Sequence, residues 1–198
     1  MKAILETLYI SVCYIRFIPH IVFFLFSKNN NIIKCDLEVY KKEYDLRWDN
    51  LHLFVHLLAH NTSFRSLFYY RIGNKKWLCQ WLGKGATELR IPLTAKIGGG
   101  LMLFHAYGTI FSSMCSIGEM CRVVHNVTIG DKNGRAPTIG NNVEIFANAV
   151  VAGDITIGDN CVIGPGAVVF KSVPANCVVV GNPAYILKKD GVIVNQKL

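Results

Sequence analysis

The sequence predicts an α+β chain in sequence order, a helical N-terminal region followed by a solenoid of very short strands, and three observations carry that prediction. An aliphatic residue returns every sixth position through Ile139, Ile145, Val151, Ile157, Ile163 and Val169. Four residues after each comes a second small or apolar residue: Val143, Ala149, Ile155, Cys161, Ala167 and Val173. Neither a helix with 3.6 residues per turn nor a strictly alternating strand has a period of six, whereas a coil that turns a corner after each hexad does. The third observation is that residues 1–84 lack this period and carry apolar residues at helical spacing instead.

Residues 3–26 are almost wholly apolar, interrupted by Glu6, Arg16, Pro19 and His20. Arg16 and Pro19 oppose a clean membrane crossing, since an Arg near a span's centre costs about 2.5 to 3.5 kcal/mol. The polar Ser27-Lys28-Asn29-Asn30-Asn31 that follows is no cleavage site, so secretion is not expected. Two readings stand: a helix or bent helix pair in the membrane interface, or a buried helix of a helical head. From Cys35 to Trp48, the stripe Leu37, Tyr40, Tyr44 and Trp48 predicts a surface helix. Leu51 to Leu58 predicts another, with His52, His56 and His60 on one face; no acidic residue shares that face, so they read as satisfied histidines rather than metal ligands. Ser63 to Ile72 is an aromatic helix stopped by Gly73, with Ser63 as its cap. After the short run Trp77 to Leu82, Gly83-Lys84-Gly85 marks the hinge into the solenoid.

The hexad register extends upstream through Ile91, Ile97 and Leu103, then Phe111, Ile117, Val123 and Ile129. It is broken twice. Two extra residues lie near Phe104-His105-Ala106-Tyr107-Gly108, and four lie within residues 131–137. Insertions in a repeat become surface loops, where binding residues collect.

The Ile-Gly hexads at Ile139, Ile157 and Ile163 resemble those of the hexapeptide-repeat acyltransferases, and Lys96 to Gly108 is similar to the serine acetyltransferase branch. Val173-Pro174 and Gly181-Asn182-Pro183-Ala184 resemble the segment that closes the coil there. The resemblance covers about residues 88–189. It implies a left-handed parallel β-helix over 85–187, followed by a tail at 188–198, a homotrimer with sites between subunits, and acetyl-CoA as co-substrate.

Transfer of an acetyl group to a hydroxyl needs a base for the alcohol's proton, and histidine has a suitable pKa. His105, in the two-residue excess, matches the family's catalytic histidine. The carboxylate that orients it in the family would fall at Arg90, so Glu88, two residues earlier and on the same side of an extended strand, is the nearest substitute. His125, one coil later, is a candidate for the acceptor site together with Asn126, Tyr107 and Arg135. Backbone amides at Gly130 or in the following loop are expected to meet the oxyanion. The small residues Ala147, Ala149, Gly164 and Ala167 would let a pantetheine arm lie along the coil, and Lys171, Lys188 and Lys189 would meet coenzyme A phosphates. No metal is expected: a zinc site of the kind found in hexapeptide carbonic anhydrases needs three histidines, and the repeat offers only His105 and His125.

Serine acetyltransferases carry an aspartate just before the catalytic histidine and a histidine after the loop arginine; here those positions read Phe104 and Ala136. A sugar hydroxyl of a surface polysaccharide precursor is therefore the expected acceptor, with L-serine as the alternative and a non-catalytic trimeric scaffold as a second. The net charge of +8 is weighted to the N-terminal half, which suits an anionic membrane surface; without a binding motif it does not predict nucleic-acid binding. Seven cysteines without paired spacing fit a reducing cytoplasm, with peripheral membrane contact through 3–26.

Overall fold

A computed structural model describes the backbone of residues 2–198 and the side chains from Leu8 onward; within the apolar segment 3–26, the side chains before Leu8 lie outside the described residues. The chain divides into two compact units, Met1–Thr87 and Glu88–Leu198, a boundary three residues beyond the expected one.

The first unit is helical. Helix α1, Lys2–Arg16, breaks at Phe17 and continues as α2, Ile18–Phe26, bent by 63° from it. Pro19 sits in the first turn of α2, where its missing N–H is not needed. No single helix among the described residues is long and apolar enough to cross a membrane. Helix α3, Asn30–Glu43, begins and ends earlier than its stripe suggested, leaving Trp48 outside it. The reason lies next along the chain, where the Asp49 side chain accepts from Leu51 N and His52 N and so starts α4, Asn50–His60. Helix α5, Thr62–Ile72, is capped by Asn61 rather than Ser63: Asn61 Oδ1 accepts from Phe64 N at 2.8 Å, and Ser63 is buried. Gly73 ends it at φ 63°, and two 3-10 turns, Gly73–Leu78 and Gln80–Leu82, replace the expected short helix.

The core of this unit packs Phe24 against Phe54, ring centroids 4.5 Å apart, with Phe64 and Phe68 edge-on to Phe54. Inside it, Arg71 forms a two-pronged ion pair with Asp36 at 2.9 and 3.0 Å. His52, His56 and His60 line a small cavity with Tyr9, Tyr14 and Trp48; Trp48 lies edge-on to His52 and His56, at 4.9 Å from each.

The second unit is a parallel β-helix with three faces. One stacks Lys96–Ile97, Ser116–Ile117, Thr138–Ile139 and Thr156–Ile157; the second runs from Met102–Leu103 through Arg122–Val123, Glu144–Ile145 and Val162–Ile163 to Cys177–Val180. The third stacks Ile110–Phe111, Thr128–Gly130, Val150–Ala152 and Val168–Val169. Each hexad aliphatic pairs with the one a coil away, as in Ile139 with Ile157 and Ile145 with Ile163. The two inward positions from Ile139 to Val173 are all between 0 and 8% exposed, forming a continuous apolar column. Corners are turned by left-handed residues: Gly108, Asn126, Asn148 and Gly166 on one edge, and Gly100, Met120, Asn142, Asn160 and Asn176 on another. Asparagine tolerates this conformation better than any branched residue. Its side chains also ladder from coil to coil, Asn142 to Asn160 at 3.2 Å and Asn160 to Asn176 at 2.9 Å.

The expected C-terminal tail is structured. Tyr185–Lys189 pairs antiparallel with Cys177–Val180, and Val192–Lys197 pairs antiparallel in turn with Tyr185–Lys189.

Candidate active site

The two-residue excess leaves the coil at the corner between the second and third faces. Phe104 N donates to Val123 O, and Asn126 N donates to Tyr107 O, so residues 105–107 bulge beyond the path that His125 follows in the next coil. His105 stands exposed on this bulge in the left-handed region at φ 48°, a conformation uncommon for a residue other than glycine and one that throws its side chain off the coil. The turn is closed by Tyr107 N donating to His105 O at 2.6 Å. Gly108 follows at φ 66°, where a Cβ would lie 2.2 Å from Asn126 Oδ1. The loop is thus held against the next coil at a point only glycine fits.

Most of the candidates meet at this corner. Arg90 is in register with Ile110, its N donating to Thr109 O and its O accepting from Phe111 N, while Thr87 and Glu88 form a turn just ahead of it rather than the extended strand expected there. Glu88 is exposed and makes no hydrogen bond to His105. His125 is half-buried, and Asn126 Nδ2 donates to Asn148 Oδ1 at 3.2 Å. Tyr107 is exposed. Two contacts at this corner were not anticipated: the Phe104 ring lies 4.6 Å from the imidazole, and the Arg122 guanidinium sits over the Phe104 ring at 4.9 Å. Arg122 follows Met102 by one coil, two residues from Phe104 along the strand, which is the spacing that could have revealed it.

Arg135 is elsewhere. The four-residue excess leaves the coil between the third and first faces and forms a small hairpin, Lys132 and Arg135 exchanging backbone hydrogen bonds around Asn133 at φ 55° and Gly134 at φ 75°. The Asn-Gly dipeptide is the strongest short-range signal of a two-residue hairpin turn. Arg135 Nη1 donates to Asp154 Oδ2 at 2.6 Å, a fully exposed pair that holds the guanidinium's pKa above its ordinary value. Within one chain, then, Arg135 and His105 occupy different corners.

The cofactor candidates divide too. Ala149 and Ala167 are fully buried in the column, and Gly164 is covered by Val180, whose Cγ1 would lie 2.9 Å from an added Cβ; none of the three lines a groove. Their small size serves the stacking of coils, so that only their backbone groups could meet a pantetheine arm. Ala147 is half-buried, and its O accepts from Gly166 N. Lys188 and Lys189 are exposed on successive positions of one strand and so point to opposite sides. Lys171 lines a cavity of about 600 Å³ together with Val168, Phe170, Tyr185, Lys197 and Leu198, and its Nζ donates to Leu198 O at 2.6 Å. This cavity pairs an apolar wall with two cations, a lining suited to an anionic nucleotide. No cluster of three metal-ligating side chains occurs among the described residues.

A hexad-repeat β-helix with a histidine bulged from one corner defines a hexapeptide-repeat transferase, and the bacterial transferase hexapeptide family (six repeats) matches residues 136–171. The serine acetyltransferase of Synechococcus elongatus is 33% identical over 143 residues, covering 70% of this chain and 58% of its own. That of Staphylococcus aureus strain Mu50 is 40% identical over 114 residues, 56% of this chain and 54% of its own. The crystal structure of Neisseria gonorrhoeae serine acetyltransferase in complex with serine superposes with a TM-score of 0.67 at 30% identity, over 82% of this chain and 70% of that one. Within the hexapeptide-repeat transferases, this chain belongs to the serine acetyltransferase-like family. It spans a little over half the length of the curated relatives it matches.

These relatives overturn the sugar acceptor expected from Phe104 and Ala136. Proteins this similar are serine acetyltransferases, and one is solved with serine bound. Two altered loop positions are a weaker guide than identity spread over the whole solenoid, because the charges that meet an amino acid can be supplied from other positions lining a site.

Proposed function

We propose that the chain is an acetyl-CoA-dependent O-acetyltransferase with L-serine as acceptor. The observation that carries this reading is His105, bulged from the coil and held exposed at a left-handed backbone position in a solenoid whose relatives are serine acetyltransferases. The unprotonated imidazole takes the proton of the serine hydroxyl as that oxygen attacks the thioester carbonyl; the tetrahedral intermediate collapses, the C–S bond breaks, and the imidazolium returns the proton to the departing thiolate. Glu88, two residues ahead of the Arg90 that pairs with Ile110, is the carboxylate available to orient the imidazole, and backbone amides near Gly130 serve the oxyanion. His125, Asn126 and Tyr107, which share the corner with the bulge, would face the acceptor. Coenzyme A is assigned to the cavity of Phe170, Tyr185, Lys171 and Lys197, the cations meeting its phosphates.

The different corners of His105 and Arg135 support a homotrimer, in which a neighbour's Arg135 would complete the acceptor site with its guanidinium toward the serine carboxylate. A reducing cytoplasm agrees with seven free cysteines, six of them buried.

The test is thiol release from acetyl-CoA with L-serine. Wild type should turn over, and His105→Ala should lose about 10²- to 10⁴-fold in kcat/KM. Failure of the wild type to acetylate serine, or an unchanged rate in His105→Ala, overturns the reading.

A further inference from the structure

Helix α2, Ile-Pro-His-Ile-Val-Phe-Phe-Leu-Phe, has no charged residue, and a helix apolar on every side belongs either inside a protein core or in a lipid layer. It is only half covered. His20 and Phe24 face the core, while Ile18, Val22, Leu25 and Phe26 are 49 to 82% exposed at the i, i+4, i+7, i+8 spacing of one helix face. Helix α1 continues the pattern with exposed Leu8, Val12 and Ile15. The 3-10 segment runs alongside. At one end Arg16 Nε donates to Leu82 O at 2.7 Å, tying the α1–α2 elbow beside Trp81; at the other, Val22 and Phe26 share a cavity with Ile72 and Lys75. That segment carries the two most exposed tryptophans, Trp77 at 67% and Trp81 at 73%, with Leu78 exposed between them.

The charges lining the cavity at one end of this face have one sign. The shared cavity is lined by Val22, Phe26, Lys28, Lys75 and Arg71 among others, with no carboxylate in its lining; Arg71 is neutralised by Asp36, which leaves the positive charge to Lys28 and Lys75. Lys76 and Lys84 flank the tryptophans in sequence. Exposed aliphatics, tryptophan with a polar tip and an apolar body, and lysines without carboxylates form the composition of an interfacial membrane contact. An isologous contact between two copies would bring the same lysines toward one another.

We infer that this face seats the protein on an anionic phospholipid surface, with the α1–α2 elbow, Trp77 and Trp81 entering the interfacial layer and Lys28 and Lys75 meeting lipid phosphate. The 63° bend lets α1 and α2 lie along the surface rather than cross it. The inference stands apart from acetyl transfer and is testable whether or not serine is the acceptor.

The experiment is flotation of the purified 198-residue chain with vesicles of phosphatidylcholine alone and of phosphatidylcholine with about 30% phosphatidylglycerol, at about 0.1 and 0.5 M salt. Binding is expected to the anionic vesicles at low salt, with loss at high salt. Lys28→Ala/Lys75→Ala should weaken partitioning about 30-fold, each lysine near an anionic surface contributing about fivefold. Tryptophan emission should shift to the blue on binding, and Trp77→Ser/Trp81→Ser should abolish both shift and flotation. These side chains are exposed, so unchanged circular dichroism and thermal midpoint keep the variants interpretable. Absence of flotation, or flotation indifferent to lipid charge and to the lysine variant, overturns the inference. So does concentration-dependent self-association, without vesicle binding, that the tryptophan variant abolishes, since a second copy would then be what covers the face.

Discussion

His20 is held neutral by its surroundings. Its ring packs between Phe17 and Phe68 at 5.0 and 5.8 Å, and burial pushes its pKa down to about 4, helped by Arg65 and Arg16. Tyr69 donates its hydroxyl proton to Gly83 O, so His20 Nε2–H donates to the Tyr69 oxygen at 3.0 Å, and the unpartnered Nδ1 is where an added proton would go. The unfolded chain binds that proton near pH 6.5 and the folded chain only near 4. Stability is therefore complete above about pH 6.5 and falls as pH drops toward 4, by about 3 kcal/mol at 1.36 kcal/mol per pKa unit. The thermal midpoint of the wild type should fall more steeply between pH 7 and 4.5 than that of His20→Gln. Asp36 and Arg71 make a second test. Asp36→Ala leaves a buried guanidinium without its counter-charge and should cost about 3–5 kcal/mol in urea denaturation. Neither partner was legible in sequence as half of a pair, because 35 residues separate them and nothing local joins them. Cysteines were more readable, since Cys115, Cys121 and Cys161 fall on the second inward hexad position. Burial pushes the thiols of Cys115 and Cys121 up to about 11. Native protein should therefore react with a thiol reagent at neutral pH through exposed Cys35 alone, and Cys35→Ser should remove that fast phase.

At the level of the element, the corner is the unit that decides activity. Gly108 and Gly166 stand on the same edge, both at φ 66°, but a methyl group at Gly108 would strike Asn126 Oδ1 whereas one at Gly166 meets nothing within 4 Å. Either change to alanine carries the backbone strain, about 1–3 kcal/mol. Only Gly108→Ala must also displace the loop that carries His105. Its kcat/KM with serine should fall about 10²-fold, the loss expected when a reacting group moves by about an ångström, while Gly166→Ala should keep its rate. The hexad period foretold the strands, and its interruptions foretold both loops. It did not foretell the asparagine edges, because the signal there is conformational, a recurring left-handed residue, rather than hydrophobic. That Ala149 and Ala167 face the column was not legible as a choice of side, because spacing alone reports that a position must be small, not which side it faces. In the helical unit, α3 was drawn too late because its stripe continues through Tyr44 toward Trp48, while the Asp49 cap that begins α4 sits just beyond.

For the whole molecule, the order of helices before solenoid was plain, since a period of six cannot be confused with one of 3.6. The hairpin of residues 185–197 was not, for it is antiparallel and follows no hexad. Its position gives it a further consequence. A stack of parallel coils has no intrinsic last member, and each finished coil offers the next a row of unpaired amides and carbonyls, the template on which another chain's strand could grow. At Cys177–Val180 that row is taken up by Tyr185–Lys189, and the outer edge passes to Val192–Lys197, a strand exposed along its whole length and ending in lysine. Removal of residues 182–198 should yield protein that sediments as thioflavin-binding polymer, where the chain of residues 1–198 stays in the supernatant. What looks like a tail is in this sense a punctuation mark: it turns an arrangement that could repeat without limit into a particle of fixed size.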